Sequence, residues 1–364
     1  TRYRVYLNGG CDGVQIVGGE ISGASQGAGF WGASNCIVAM VRGIDNYGYE
    51  DNAGSPVARS FIEDYGAATG QRNNQVVHCT IDDTTSSGIE CAQGMIGSTY
   101  AHNTFRNCMI ASIGVTGQGT EYTEDIHIFD NNFYDKSCSV VGATNVHFES
   151  NRFYDIDDEI ALYFQYGATG GKATKNTFRN CYKTLIRWGT NDGYAAENDI
   201  VSSAANAMGI QIEGGCSGFN FVDNYITMTG TNSGAIGLGS NTVLRGGKLS
   251  ATGIHTVQLG GSNVLIDGVC EILNTMAGAS AIDLNWSISN IRIVNCPRIW
   301  KDESGPVISV QSTTRLFIEH NTIEHADNAD IIKIYGTGSK VVIDKNYHIR
   351  PDGANGISDS GTGT

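Results

Sequence analysis

The sequence predicts an all-β chain folded as a parallel β-helix solenoid of about 13 to 14 coils, with about 25 residues in each. Three observations predict it. A short phrase, Asn-x-Phe or Asn-x-Ile, recurs at Asn151, Asn176 and Asn198. Apolar and polar residues alternate before the phrase, which is typical of a half-buried strand. A second short strand, ending in glycine, follows ten to fifteen residues later, and no helical pattern of ten residues separates the two.

The composition agrees with one repetitive β body. The chain has 364 residues with 48 glycines, only 4 prolines and 16% charged residues, so turns are made by Gly and Asn and few breaks resemble linkers. The formal net charge of −14 disfavours a nucleic-acid partner, which would need a basic surface. No apolar run approaches the length of a membrane span, so we expect no membrane insertion.

The recurring phrase extends into one column of turn residues along the chain. Asn and Gly tolerate left-handed backbone, and stacked asparagines can hydrogen-bond from coil to coil. The column is predicted at Gly19, Gly43, Cys79, Asn103, Asn131, Asn151, Asn176, Asn198, Asn224, Gly247, Gly268, Asn295, Asn321 and Asn346.

Strands before and after this column complete each coil. Alternating pairs such as Ile126/Ile128 and Val146/Phe148 point inward before the turn. Right-handed connections are the usual outcome for parallel strands, so a right-handed helix is expected. The strands that close the coils are predicted at 88–94, 111–117, 139–144, 160–167, 184–189, 209–215, 235–240, 256–261, 281–286, 307–312 and 331–336.

The predicted domain organisation is a single β-helix domain over residues 1–350, with a flexible tail or linker at 351–364. Loop insertions are expected at about 45–72 and 116–125. In the first of them, Ser55 and Pro56 predict one helical turn. The ten cysteines show no CxxC pair and no zinc spacing, so they are expected to be buried free thiols.

The period, the Asn column and the Gly-closed strands resemble the right-handed parallel β-helix (pectate lyase-like) superfamily. That superfamily includes polysaccharide lyases, uronan epimerases and bacteriophage tailspike depolymerases. The segments VQIVGGEISG and SNCIVAMVRGIDNYG resemble the opening coils of many tailspikes. The resemblance implies that a glycan lies along the sheet of Gly-closed strands.

Candidate catalytic residues are carboxylates near that sheet. Glycoside hydrolysis needs two carboxyl groups, and residues of one strand or of neighbouring coils can provide them. A solvated turn or a calcium-binding loop is the alternative interpretation of the acidic cluster. The catalytic candidates are Asp157, Asp158 and Glu159, paired with Glu213 or Glu90.

Outward positions of the same strands carry the candidate substrate-binding residues. Planar amides and carboxylates suit sugar hydroxyls, and aromatic faces suit sugar rings. These candidates are Tyr163, Gln165, Arg187, Gln211 and Asp283 at outward positions, together with Trp188 next to Arg187.

A lyase or epimerase is the alternative chemistry. The phrase LIRWG around Arg187 is similar to the Arg-x-Gly phrase of a calcium-dependent lyase group, with Asp157–Glu159 as the implied metal segment and Tyr163 as a base. The lysine that this group has one coil earlier is absent here. No cofactor is expected for hydrolysis, and calcium remains possible under this alternative or in a calcium-binding loop at the acidic cluster. The eight histidines are expected to form no metal site, with His127 and His147 stacked on adjacent coils.

The leading functional hypothesis is a phage tailspike or receptor-binding protein, trimeric and located on the virion tail. It would bind a bacterial surface polysaccharide and hydrolyse it with paired carboxylates. The alternatives are a secreted polysaccharide lyase or uronan epimerase, and a glycan-binding adhesin without catalysis.

Overall fold

A computed structural model describes residues 3–23, 26–45, 49–50, 56–57, 60–66, 72–117, 122–158, 160–327, 329–335, 339–349 and 356–359. Within these residues the chain is all-β, without helices, and forms a parallel β-solenoid of about 13 turns with a repeat near 24 residues. This confirms the predicted fold class. The chain divides into two compact units, Thr1–Thr177 and Phe178–Thr364.

Strands of the first unit fall into three sets, which recur in each coil. First-set strands precede the Asn turn: Gln15–Val17, Ile37–Ala39, Gln75–Val77, Thr99–Ala101, His127–Phe129, His147–Glu149 and Lys172–Thr174. Second-set strands follow it: Glu20–Ser22, Arg42–Ile44, Thr80–Thr84, Thr104–Cys108, Asn132–Tyr134 and Arg152–Tyr154. Third-set strands close the coil: Tyr3–Leu7, Gln26–Trp31, Ile62–Tyr65, Ile89–Ala92, Ile113–Thr116, Cys138–Val141 and Ile160–Gln165.

The second unit repeats the same three sets, and Thr177–Arg179 is a second-set strand at the boundary. Its first set is Tyr194–Ala196, Asn220–Val222, Val243–Arg245, Val264–Asp267 and Ser339–Asp344. Its second set is Asp199–Ser202, Tyr225–Met228, Lys248–Ala251, Glu271–Asn274, Ile299–Lys301, Thr322–His325 and Tyr347–Ile349. Its third set is Thr184–Trp188, Met208–Ile212, Gly234–Leu238, His255–Leu259, Ile332–Ile334 and Ile357–Asp359. Two long strands, Ser280–Val294 and Ile308–Glu319, join third-set to first-set positions.

The predicted Asn column is a buried hydrogen-bonded ladder. In the first unit, Asn103 Nδ2 donates to Asn131 Oδ1 (3.0 Å), and Asn131 Nδ2 donates to Asn151 Oδ1 (3.0 Å). Each ladder asparagine also satisfies main-chain groups, as when Asn151 Nδ2 donates to the carbonyl of Ile128 (2.8 Å). Because an unpaired polar group inside the solenoid would be costly, the ladder stabilises the turn of every coil that carries it.

The sequence predicts left-handed backbone at the ladder asparagine itself. In the structure, the residue before each of these asparagines has it instead. His102, Asp130 and Ser150 have φ of 57°, 52° and 56°. The structure also shifts the column at three predicted positions. Judged by strand register and ladder bonds, Val41, Cys270 and Cys296 occupy the places assigned to Gly43, Gly268 and Asn295.

Apolar residues of all three strand sets fill the interior of each unit. The phenylalanines of the recurring phrase stack from coil to coil, with ring centroids of Phe105 and Phe133 5.2 Å apart and those of Phe133 and Phe153 4.8 Å apart. Each is fully buried, which stabilises the fold by about 1.5–3 kcal/mol per ring. All ten cysteines are free thiols, and seven of them are buried.

The described residues of the first predicted insertion form strands, and Pro56, the expected start of a helical turn, lies in one of them. Ser55 lies outside the described residues, whereas Pro56–Val57 pairs antiparallel with Tyr49–Glu50. Ile62–Tyr65 is a full third-set strand, paired in parallel with Gln26–Trp31 and with Ile89–Ala92. The Ser-Pro pattern favours a helix start because proline suits the first helical position, but Pro56–Val57 pairs as a strand instead.

The second predicted insertion and the tail are described in part. Residues 118–121 and most of 351–364 lie outside the described residues. Ile357–Asp359 pairs in parallel with Ile332–Ile334, so this piece of the predicted tail is a third-set strand. Across the part of the chain that the structure describes, no helix has the length and apolarity needed to cross a membrane.

Candidate functional site

Two carboxylates lie side by side on the third-set face of the first unit. Strands Ile62–Tyr65 and Ile89–Ala92 pair in parallel with Glu63 opposite Glu90. Neighbouring strands are about 4.8 Å apart, and in-register side chains point to the same face. Glu63 is buried and Glu90 is half-buried, with Ser60 Oγ donating to Glu90 Oε2 (3.0 Å). Of this pair, the sequence predicted Glu90 and missed Glu63.

An aromatic strip flanks the two carboxylates. It consists of Tyr6, Trp31 and Tyr65, with ring centroids 6.5 Å apart for Tyr6 and Trp31 and 5.2 Å apart for Trp31 and Tyr65. Tyr65 is two residues beyond Glu63 on one strand, so both point to the same face. Such a strip offers apolar ring faces at the edge of a polar site, a combination that suits the mixed polar and apolar surface of sugars.

The indole N–H of Trp31 is buried and has no hydrogen-bond partner among the described residues. A buried tryptophan N–H usually finds an acceptor, because an unsatisfied donor costs about 1–3 kcal/mol. The aromatic strip therefore contains one buried donor that no described residue satisfies.

A small open cleft adjoins these groups. Its volume is about 100 Å³, and its walls are Tyr65, Glu90, Ala92, Gln93 and Thr116. Liquid water occupies about 30 Å³ per molecule, so the cleft holds about three waters or a substituent of a sugar ring. One carboxylate and one amide thus face a compartment of suitable size beside an aromatic wall.

The same face continues as a shallow track of small side chains. Glu90 is in register with Gly114, Gly114 with Ser139, and Ser139 with Tyr163. The space above Gly114 is open, since a Cβ there would meet only Ser87 Oγ at 3.9 Å. Three strand steps separate Glu90 from Tyr163, about 14 Å. A linear glycan of two to three residues would span this distance, and Gln165 lies two residues beyond Tyr163 on the same face.

The predicted acid cluster binds a lysine of the preceding coil. Lys136 Nζ is 2.8 Å from Asp157 Oδ1 and 3.0 Å from Asp158 Oδ1, and these carboxylates raise the pKa of Lys136. Asp158 Oδ2 also accepts from the backbone N–H of Ser137 (2.8 Å). The positive charge of Lys136 thereby offsets the repulsion between the Asp157 and Asp158 carboxylates. Asp158 is held by two groups, the Lys136 ammonium and the Ser137 N–H. Glu159 lies outside the described residues.

In the second unit, the predicted residues Arg187 and Glu213 form an ion pair. Arg187 Nε is 2.8 Å from Glu213 Oε1, and both side chains are about one-third exposed. Arg187 is in register with Gln211, whose Oε1 accepts from Thr184 Oγ1 (3.3 Å). The guanidinium charge is therefore already balanced by a carboxylate of the same unit.

Trp188, a predicted substrate contact, is instead a core residue. Its side chain is fully buried and its ring packs on Phe219 and Phe221, with centroids 5.9 Å and 5.7 Å away. Alternation explains the correction, because Arg187 faces outward and the next residue must face inward. We therefore assign Trp188 to the core of the second unit.

Asp283, another predicted substrate contact, pairs with His255, which is not among the predicted site residues. Asp283 Oδ2 is 3.3 Å from His255 Nε2, and Ser280 Oγ is 3.0 Å from His255 Nδ1. Desolvation lowers the pKa of His255, opposed by the Asp283 charge. Ser280 is fully buried, so this Ser, His and Asp arrangement has no accessible nucleophile.

A third carboxylate, that of Asp64, lies in the interior on the same strand as Glu63. Asp64 accepts hydrogen bonds from Tyr100 Oη (2.7 Å), Ser98 Oγ (2.8 Å) and Asn74 Nδ2 (2.8 Å). Burial raises the pKa of Asp64, while the three donors act in the opposite direction. This network is fully buried and fixes the strand that carries Glu63.

Histidines stack in two pairs on the first unit. Ring centroids of His78 and His102 are 4.7 Å apart at 7°, and those of His127 and His147 are 5.1 Å apart at 9°. The predicted stacking of His127 on His147 is confirmed. His127 and His147 lie on first-set strands, whereas Glu63 and Glu90 lie on third-set strands.

Comparison with known proteins supports the fold. No protein-family model matches the chain, and no curated protein sequence matches it. A mutant of the tailspike protein of E. coli bacteriophage HK620, in complex with a hexasaccharide, aligns with a TM-score of 0.56 at 12% identity. This alignment covers 94% of this chain and 71% of the tailspike.

A second structure, the pre-mature gene product 12 of bacteriophage phi29, aligns with a TM-score of 0.50 at 11% identity. That alignment covers 96% of this chain and 53% of the phi29 protein, so the chain spans about half of its length. The chain thus has the parallel β-helix fold, and its structural neighbours include a phage tailspike, as the sequence resemblance predicts.

Proposed function

We propose that this chain binds a hydroxyl-rich bacterial surface polysaccharide along the third-set face of its first unit and hydrolyses it. The observation that carries this proposal is the pair Glu63 and Glu90, in register on adjacent strands beside a cleft and an aromatic strip. Glycoside hydrolysis requires two carboxyl groups, and ring faces beside them suit the binding of a sugar.

The chemistry follows from the two carboxyl groups. One, as the neutral acid, donates its proton to the glycosidic oxygen as the bond to the anomeric carbon breaks. The other, as carboxylate, either attacks that carbon or removes a proton from the attacking water. Glu90 lines the cleft and would contact the reacting sugar directly. Trp31 and Tyr65 would hold a neighbouring sugar by contact with their ring faces.

The substrate contacts predicted on the same face fit this arrangement. Tyr163 and Gln165 lie further along the track of the first unit, where they would bind sugars distant from the cleavage point. Gln211, on a third-set strand of the second unit, remains a proposed glycan contact of that unit by itself, whereas Asp283 is buried and paired with His255 and is not proposed as a contact. The acid cluster of Asp157 and Asp158 is assigned a structural role instead, because both carboxylates bind Lys136.

The biological setting that we propose is a phage tailspike, assembled as a homotrimer on the virion tail. The fold shared with the HK620 tailspike supports this setting. Size-exclusion chromatography with light scattering tests the assembly: a trimeric mass supports it, and a monomeric mass of the intact protein contradicts it.

Elimination by a lyase is the second candidate, since Arg187 could neutralise a uronate carboxylate. The ion pair between Arg187 and Glu213 argues against it, because a substrate would first have to displace a carboxylate 2.8 Å away. The two reactions differ in their products. Elimination creates a double bond with ultraviolet absorbance, whereas hydrolysis releases reducing ends without that absorbance. An adhesin without catalysis would release neither.

A further inference from the structure

Three side chains of metal-ligand type meet on the first-set strands of the first unit. His127 and His147 occupy the same register position on the adjacent strands His127–Phe129 and His147–Glu149. Glu149 is two residues beyond His147, so alternation places its carboxylate on the same face. The cluster thus joins two successive coils through residues that the proposed glycan site does not use.

The distances within this cluster are short. His127 Nε2 is 3.2 Å from Glu149 Oε2, and the two imidazoles are stacked. One ligand atom from each of the three residues can be chosen so that all lie within 4.8 Å of one another. The side chain of His127 is 40% exposed and that of Glu149 is 32% exposed, so an ion can reach them from solvent.

We propose that His127, His147 and Glu149 form a binding site for one divalent transition-metal ion, such as Zn²⁺, Co²⁺ or Ni²⁺. Two imidazoles and one carboxylate are a donor set for these ions, whereas Mg²⁺ and Ca²⁺ prefer oxygen ligands throughout. Three protein ligands leave at least one position for water.

Binding requires only side-chain rotation. Ligand atoms at about 2.1 Å from a tetrahedral ion lie about 3.4 Å from one another. Because the ligand atoms lie within 4.8 Å of one another, the widest pair must close by at most about 1.4 Å. Rotation about χ1 and χ2 of a half-buried histidine provides such a movement without a change in the strand.

Two present partners would be displaced by the ion. Lys175 Nζ is 3.7 Å from Glu149 Oε1, and Thr174 Oγ1 is 2.7 Å from His147 Nε2. Lys172, in register with His147, adds a second positive charge nearby. The side chain of Lys175 is 52% exposed, so it can turn to solvent at little cost. The consequence of binding is a cross-link between two coils, which should stabilise the first unit.

The test is calorimetric titration of the untagged, chelator-stripped protein with Zn²⁺, followed by Co²⁺ absorption spectroscopy. We expect one equivalent to bind and to raise the melting temperature. His127→Ala, His147→Ala and Glu149→Gln should each lower the affinity at least about tenfold. Lys175→Gln should raise the affinity by up to about fivefold, because a competing cation is removed.

The second stacked pair supplies a matched control. His78→Ala and His102→Ala remove equivalent rings of the same unit and should leave Zn²⁺ affinity unchanged. The proposal would be overturned if His127→Ala and Glu149→Gln bound Zn²⁺ with wild-type affinity. It would also be overturned if His102→Ala, and not these variants, lowered the Zn²⁺ affinity. Equal melting temperatures of the metal-free variants exclude misfolding as the cause of a loss. The result is independent of whether the first unit cleaves a glycan.

Discussion

Glu63 and Glu90 occupy the same register position on neighbouring parallel strands, with Tyr65 two residues along and its ring 5.2 Å from that of Trp31. A solenoid creates such pairs readily, because each coil places its outward residues directly above those of the coil before. One buried and one cleft-lining carboxylate in adjacent coils therefore make a candidate catalytic centre from residues 27 positions apart in the chain.

The aromatic strip should contribute to glycan affinity. Trp31→Ala removes the ring face, so we expect the dissociation constant to rise about tenfold or more. Trp31→Phe keeps a ring face and should show a smaller loss. Affinity electrophoresis or calorimetry with a bound polysaccharide measures both. Tyr225→Ala, at an exposed tyrosine on a second-set strand, is the matched control, and an equal loss there would contradict the assignment.

Asp158 should matter for stability and not for cleavage. Asp158→Asn replaces an acceptor of the Ser137 N–H and weakens the bond to Lys136, which should cost about 1–2 kcal/mol of unfolding free energy. Asp157→Asn, at a side chain that is 68% exposed, should cost less than about 0.5 kcal/mol. Urea unfolding and a cleavage assay on both variants check this. Loss of cleavage in well-folded Asp158→Asn would restore the catalytic interpretation of the cluster.

The Asn ladder should contribute strongly to stability. Asn151→Ala leaves Asn131 Nδ2, the Asn131 N–H and the Ile128 carbonyl without their ladder partner. At about 1–3 kcal/mol for each unsatisfied buried group, partly recovered by relaxation, we expect a loss of about 3–5 kcal/mol. Asn132→Ala, on an outward strand position beside the ladder, should change stability by less than about 0.5 kcal/mol. If Asn151→Ala and Asn132→Ala lowered the unfolding free energy by similar amounts, the ladder hydrogen bonds would not be the source of the stability.

The buried Asp64 predicts a pH dependence. Its folded-state pKa is raised by desolvation, so the folded state holds this proton more tightly than the unfolded state, in which Asp titrates near about 3.9. The stability that protonation supplies is full below that value and is lost as pH rises through the folded-state pKa.

Asp64→Asn removes this titration. The difference in unfolding free energy, wild type minus variant, should therefore fall as pH rises above about 4. Denaturant unfolding at a series of pH values measures it. A difference that stays constant or rises with pH contradicts the assignment.

Much of the fold could be predicted because a solenoid repeats its local chemistry. The Asn-x-Phe phrase specifies a buried ladder amide and a stacked ring in each coil, and both recur in the structure. Ladder positions in turns without asparagine are harder to predict from the sequence. Val41 and Cys296 fill ladder positions that carry no amide in the sequence, and only strand pairing shows their register.

The candidate site could be predicted only in part, for two physical reasons. Glu63 lies in a segment whose Ser-Pro start favours a helix locally, whereas pairing with strands on both sides makes Ile62–Tyr65 a strand. The chemistry of Asp157 and Asp158 depends on Lys136, which is about 20 residues away in the chain and one coil away in space. Neither relationship is visible in the local sequence.

The most direct test of the central proposal measures reducing ends released from a polysaccharide that the wild-type protein is first shown to bind. Glu63→Gln and Glu90→Gln keep side-chain shape and should bind this glycan while cleaving it at least about a hundredfold more slowly. Glu213→Gln, in the second unit, should cleave at close to the wild-type rate. Wild-type cleavage by both Glu63→Gln and Glu90→Gln, or no cleavage of the bound glycan by the wild-type protein, would contradict the proposal.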